Sequence, residues 1–288
     1  VLEVGAGFGA LTGKLCGKCT HVTATERSLY RAQGMAKRYA TVDNLTIYAG
    51  DISQIPLREK YDYIVVVGLL ERMGDHQKQY LQQLKGLLTA KGRLLLAVTN
   101  RFGLKYFCGA RDPYTRKAFG GINQYDRYTK GAHALSRQEL QSLIREAGYA
   151  DARFFYPLPD DRLPQLIYTD EYLPEQNLKE RLIPYYPKKD TLVANEAGLY
   201  DDVIANGVFP FMANAFFVEC TAGQLDRQNE VLYAAVSTDR GRERSFATVI
   251  VRDTVTNERK VRKTPLYPAG VQNAKDLYEN ICDLKAHG

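Results

Sequence analysis

Leu2-Glu3-Val4-Gly5-Ala6-Gly7-Phe8-Gly9-Ala10-Leu11-Thr12 runs an apolar strand pattern into three glycines and then into a helical pattern. Glycines at 5, 7 and 9 let the backbone turn sharply and keep side chains away from a ligand. The first N–H groups of the following helix have no partner within the helix and suit an anionic or polar group. A nucleotide-like cofactor is the expected occupant of such a turn. The glycines alone do not say which, because Gly5-x-Gly7-x-x-Ala10 also satisfies the dinucleotide fingerprint. An NAD-type oxidoreductase therefore stands as a competing reading, and a non-catalytic cofactor-binding module as a third. Glu26, at the end of the next predicted strand, is expected in either enzyme class, since a carboxylate there accepts hydrogen bonds from ribose hydroxyls.

Outward from the turn, short apolar runs alternate with amphipathic stretches. Strands are predicted at 1–5, 21–26, 45–48, 61–67, 93–99 and 152–156, and helices at 10–17, 29–40, 77–89 and 137–147. Ser136-Arg-Gln-Glu139 is a capping box, and Gly148 supplies a stop. This alternation predicts βαβ crossovers and a parallel sheet covered on both faces. Two segments break the rhythm, 100–134 (rich in glycine and aromatics) and 157–208 (rich in proline, tyrosine and acids), and both are candidates for a substrate-covering lid. A further strand is predicted at 209–218.

Three features separate the competing cofactors. Glu3 lies two residues before the first glycine, Gly50-Asp51-Ile52 follows the third strand, and Val67-Gly68-Leu69-Leu70-Glu71 follows the fourth. Together with the glycine turn these resemble the class I S-adenosylmethionine-dependent methyltransferases. The resemblance implies an α/β fold, a doubly wound, seven-stranded, mostly parallel Rossmann-like sheet with S-adenosylmethionine above the first, second and fourth strands. It implies that Gly5, Ala6, Gly7 and Gly9 line the methionyl and ribose portions, with Glu3 supporting the loop. Glu26 then holds the ribose hydroxyls, Asp51 accepts the adenine amino group, Ile52 packs on the base, and Gly68 and Leu69 close the pocket near the sulfonium. Each has a plainer alternative: Glu26 a helix cap, Asp51 a turn residue, Ile52 and Leu69 core. Gly9-Ala-Leu-Thr12 also looks like the ribosomal RNA adenine dimethylases. Their Asn-Leu-Pro-Tyr-type motif is replaced here by Gly68-Leu-Leu-Glu71, which argues against an adenine amino acceptor.

Methyl transfer needs a base only when the acceptor must lose a proton, and His133, after the fifth strand and before the capped helix, is the candidate. The 39 basic and 33 acidic residues leave a formal charge of +6. Between 100 and 130 seven basic residues stand against two acids and interleave with seven aromatics, which suits an anionic acceptor with a ring face. Arg101, Tyr106, Tyr125 and Arg127 are its candidate contacts. Residues 151–181 carry more acids than bases, so the positive stripe that a nucleic acid needs is missing. The segment Asn100-Arg-Phe-Gly-Leu-Lys-Tyr-Phe-Cys-Gly109, with Pro157-Leu-Pro-Asp160 and Leu163-Pro-Gln165, is similar to bacterial methyltransferases found with surface-polysaccharide enzymes. That implies O-methylation of a small or glycan-type acceptor.

At 288 residues and 45% apolar composition the chain is a folded protein of one or two domains. It has no apolar run long enough to span a membrane and begins without a methionine, inside a strand pattern, so a longer chain is expected. Five cysteines, an odd number, suit a reducing compartment and a cytoplasmic location, and Cys16-Gly-Lys-Cys19 reads as a helix end, with no metal expected. Residues 1–222 are assigned to the methyltransferase domain. Residues 223–288 are assigned to a partial α+β appendage resembling the small lobe of a kinase-like fold, in which Lys263 pairs with Glu279.

Overall fold

The computed structural model describes residues 1–125, 131–175, 178–223, 229–237 and 239–287. Strand β1 (Leu2–Val4) lies between β2 (Val22–Glu26) and β4 (Tyr61–Val67), parallel to both, with Glu3 opposite Ala24 and Val65. Strand β3 (Leu45–Ala49) pairs parallel with β2, and β5 (Leu88–Thr99) with β4. Parallel neighbours require crossovers, supplied by α1 (Thr12–Cys16), α2 (Leu29–Arg38) and α3 (Gln77–Gly86). After β5 come the short α4 (Leu104–Phe107), then α5 (Arg137–Glu146) leading into β6 (Asp151–Leu158). The capping box forms: the Ser136 hydroxyl accepts the Glu139 N–H, and the Glu139 carboxylate accepts the Ser136 N–H at 2.8 Å.

Beyond β5 the pairing changes. Strand β8 (Ala215–Thr221) inserts antiparallel between β5 and β6. From β6 the sheet runs on through β7 (Leu166–Thr169), β9 (Asn229–Val236), β10 (Phe246–Asp253) and β11 (Arg259–Pro265), giving the order β11-β10-β9-β7-β6-β8-β5-β4-β1-β2-β3. The expectation of seven mostly parallel strands is thus corrected to eleven in a mixed sheet, in which six of the ten pairings are antiparallel. For β6 with β7, and for β9, β10 and β11, the connections are too short for a helical crossover, so consecutive strands there pair antiparallel. The C-terminal strands join the same sheet through Leu166 opposite Ala235 and Ile167 opposite Ala234. Helix α8 (Val271–His287) follows β11, and among the described residues no ion pair joins Lys263 to Glu279.

Two other expectations change. Segment 209–218 is not one strand: α7 (Phe209–Met212) precedes β8, because Pro210 lacks the N–H a ladder needs and suits a first helical turn. Segment 157–208 holds β7 and α6 (Glu196–Ala205) rather than a long irregular loop. The buried side chains of the central strands, among them Leu94, Leu96, Phe154, Phe216 and Val218, pack with Leu81 and Leu84 of α3 and Leu140 and Ile144 of α5. The opposite face is not fully covered: Tyr63 and Val67 are 40% and 52% exposed, and an open groove of about 490 Å³ runs over Leu95, Phe155 and Phe217. Among the described residues no helix is long and apolar enough to cross a membrane.

Candidate functional site

Gly5, Gly7 and Gly9 have φ of 75°, 60° and 79°, a region that costs other residues about 1–2 kcal/mol each. Gly9 is constrained twice over, since a Cβ there would lie 2.6 Å from the Tyr39 ring, whose hydroxyl donates to the Gly9 carbonyl at 2.5 Å. At Gly7 a Cβ would meet nothing, so the backbone conformation alone is at stake. Gly7→Ala is therefore expected to cost about 1 kcal/mol, seen as a melting temperature lower by about 2–4 °C, with Gly7→Asn recovering part of it. An alanine variant that melts with the wild type would contradict this geometry.

Two buried carboxylates hold the turn. The Thr12 hydroxyl donates to Glu3 Oε2 at 2.5 Å, tying the start of α1 to β1. Burial pushes the Glu3 carboxyl up, against the pull of that hydrogen bond. Glu26 Oε2 accepts the Gly7 N–H at 2.8 Å and its Oε1 accepts the Ser28 N–H at 2.9 Å. Ser28 is itself the cap of α2, its hydroxyl accepting from the Arg31 N–H. Glu26 thus braces both the glycine turn and the entry to α2. Across the opening, Asp51 Oδ1 accepts the Ser53 hydroxyl and N–H at 2.7 and 3.0 Å, and these bonds hold its carboxyl below the usual range.

These groups surround a cavity of about 760 Å³ at the carboxyl ends of β1 to β4, where doubly wound sheets bind ligands. Of the residues expected there, Gly5, Glu26, Asp51, Ile52, Gly68 and Leu69 line it. Glu3, Ala6, Gly7 and Gly9 do not; they shape the turn from behind, Ala6 donating its N–H to the Thr25 carbonyl at 3.0 Å. Arg27, Arg31, Arg72 and Tyr80 line it as well, without being picked out by the sequence. Tyr80, on α3, has a buried hydroxyl with no partner among the described residues, and burial pushes its ionisation up. An orphaned hydroxyl is costly unless a ligand satisfies it. Paired carboxylates for a diol, apolar Ile52 and Leu69 for a base, and this free hydroxyl fit an adenosyl ligand.

The expected acceptor contacts fare differently. Arg101 is locked to Glu139 through Nε and Nη2, both at 2.8 Å, with its guanidinium 4.0 Å above the Phe102 ring. Tyr125 donates to Asp112 Oδ2 at 2.8 Å and accepts the Ala134 N–H at 3.1 Å, so it is the loop's internal support. Tyr106 is buried yet lines a second cavity. Arg127 lies outside the described residues. His133 lines neither cavity: its N–H donates to the Glu71 carbonyl at 2.8 Å, and its Nδ1 lies 3.2 Å from the Gly131 carbonyl. The titratable group the sequence left without a role is Glu71. Its Oε1 accepts the Thr99 N–H at 2.8 Å, and its Oε2 has no partner among the described residues. Burial pushes the carboxyl up, against the opposing pull of Thr99 and of the nearby Tyr114 hydroxyl.

The chain is an α/β protein whose mixed sheet resembles those of Rossmann-like methyltransferases, with a cavity at the carboxyl ends of its parallel strands. Residues 2–94, from β1 into β5, match the family model described as a methyltransferase domain, which supports S-adenosylmethionine as the cofactor. No protein of curated function matches the sequence. Solved structures with a similar fold include the CMeT domain of the citrinin polyketide synthase (14% identity, 78% of this chain and 46% of that one, TM-score 0.45). A Thermotoga maritima methyltransferase, described as a possible histamine N-methyltransferase, gives 17%, 77%, 80% and 0.45. The mycolic acid cyclopropane synthase complexed with S-adenosylhomocysteine gives 19%, 53%, 56% and 0.40. The chain thus spans about half the length of the first and third of these.

Proposed function

We propose that the chain is an S-adenosylmethionine-dependent methyltransferase that methylates an oxygen of a small or glycan-type, anionic acceptor. The observation that supports this most is the gathering of Gly5, Glu26, Asp51, Ile52, Gly68 and Leu69 around one cavity at the carboxyl edge of the sheet. When bound, S-adenosylmethionine supplies a methyl group made electrophilic by its sulfonium. The chain's part is alignment and exclusion of water. Glu26 and Asp51 orient the ligand by hydrogen bonds, Ile52 and Leu69 cover its apolar surface, and Gly68, with φ of 59°, lets the backbone after β4 approach without a side chain between. A hydroxyl acceptor must lose its proton as its oxygen takes the methyl group. His133, the base expected from the sequence, is proposed to receive it, although its ring lines neither cavity and rests with Nδ1 3.2 Å from the Gly131 carbonyl, so it would have to turn toward the acceptor.

Calorimetric titration with S-adenosylhomocysteine tests the cofactor assignment. Saturable one-to-one binding is expected, and none with NADH. Tight NADH binding with no response to S-adenosylhomocysteine would move the protein to the oxidoreductase class.

A further inference from the structure

The second cavity, of about 530 Å³, is built from the segment after β5, the start of the segment after β6, and residues 185–188. Strands β5 and β6 are each antiparallel to β8, so they run the same way and both end at the edge where the cofactor cavity opens. The two cavities therefore lie along one edge of the sheet, the first over β1 to β4 and the second beyond β5 and β6. Glu71, Thr99 and Tyr114 stand between them: Glu71 follows the Gly68-Leu69 wall of the first, and Tyr114 adjoins Pro113 of the second.

The charge of the second cavity is the informative part. Five cations line it, and two are already neutralised, Lys105 by Asp160 at 3.3 Å and Arg111 by Asp190 at 2.7 Å. Its other acid, Asp112, is spent on the loop, accepting the N–H groups of Tyr114 and Thr115 and the hydroxyls of Thr115 and Tyr125. Arg116, Arg162 and Lys188 form no ion pair among the described residues, although Asp161 acts on Arg162 and Asp190 on Lys188 from further off. Arg116 also holds a left-handed backbone, φ 63°, unusual for a residue with a side chain, and its carbonyl is fixed by Arg111 Nη1 at 3.0 Å. Five cations against Asp112, Asp160, Asp161 and Asp190 leave a small positive excess, carried by exposed side chains around a concave surface, which favours an anion there. Tyr106, Tyr185 and Tyr186 add ring faces to the same walls.

We propose that this cavity is the acceptor chamber and that Arg116, Arg162 and Lys188 bind a phosphoryl group on the acceptor, with the tyrosines packing against its ring. The inference rests on the methyltransferase reading and narrows its acceptor to phosphorylated sugars or nucleotide-linked sugars, which share the phosphoryl group and differ in a base. Guanidinium groups suit phosphate because two N–H donors match two of its oxygens.

Calorimetric titration of the intact protein with glucose 1-phosphate and with UDP-glucose, each with and without saturating S-adenosylhomocysteine, tests it. At least one of the two is expected to bind. Binding of both equally points to the phosphoryl group alone, and a preference for UDP-glucose to ring contacts by the tyrosines. Arg116→Ala and Arg162→Ala, both at exposed positions, are each expected to weaken that binding about tenfold or more and to leave S-adenosylhomocysteine binding unchanged. Lys91→Ala, a surface cation on β5, is expected to change neither. Binding of neither probe, or equal binding by the two arginine variants, overturns the chamber while leaving the cofactor assignment intact. Phosphoryl binding without S-adenosylhomocysteine binding would do the reverse.

Discussion

Glu26→Ala is expected to weaken S-adenosylhomocysteine binding by about 100-fold or more, from the loss of two charge-assisted hydrogen bonds of roughly 1.5–3 kcal/mol each. The structure gives a second reason for a large effect. Glu26 Oε2 and Oε1 hold the Gly7 and Ser28 N–H groups, so removing the carboxylate frees the glycine turn and the entry to α2 together. Glu26→Gln separates the two contributions, because an amide oxygen still accepts one of those N–H groups while the charge is lost. The glutamine variant should melt closer to the wild type than the alanine variant does, yet bind the ligand poorly. Titration calorimetry and thermal melts of the three proteins give both numbers. Wild-type affinity in Glu26→Ala would remove Glu26 from the ligand altogether.

What the sequence made legible follows from where the information is local. The glycine turn, the capping box at Ser136 and the first four strands carry their signals in residues close together in the sequence, and all appear close to their expected limits, whereas β5 begins at Leu88 rather than at residue 93. The sheet beyond β5 depends on which distant edge is available. Nothing in the residues of β8 states that it inserts between β5 and β6, nor that β7 receives β9. The cofactor wall divides in the same way. Gly5, Glu26 and Asp51 sit at strand ends, where type and position together carry meaning. Tyr80 lies on an amphipathic helix, where a tyrosine pointing into a cavity and one packed in the core have the same periodicity. The basic stretch 100–130 was visible as charge, but its meaning depended on partners outside it. Glu139, Asp160 and Asp190 neutralise Arg101, Lys105 and Arg111, and only the remaining cations are left for a ligand.

Glu71 is expected to give the other large effect. Burial raises the folded-state pKa of this carboxyl above its unfolded value, because the charged form is the one that loses water. The folded state is therefore favoured while Glu71 is protonated, and loses that advantage as the pH rises through the raised pKa. Glu71→Gln keeps the shape, and its amide oxygen can still accept the Thr99 N–H, but it cannot ionise. The substitution carries an offset of its own, since the new amide nitrogen takes the position of the unpartnered Oε2; that offset does not vary with pH. Glu3, raised for the same reason, is present in both proteins and cancels in the difference. Denaturant unfolding at pH 4.5 and pH 8 should therefore show the variant gaining on the wild type by about 1.4 kcal/mol for each unit by which the pKa is raised, within that window. Parallel stability profiles would mean that Glu71 ionises as freely in the folded chain as in the unfolded one, and would overturn the raised pKa ascribed to its burial. A steeper loss of the wild type in the presence of a bound acceptor would place that charge against the phosphoryl group of the neighbouring chamber.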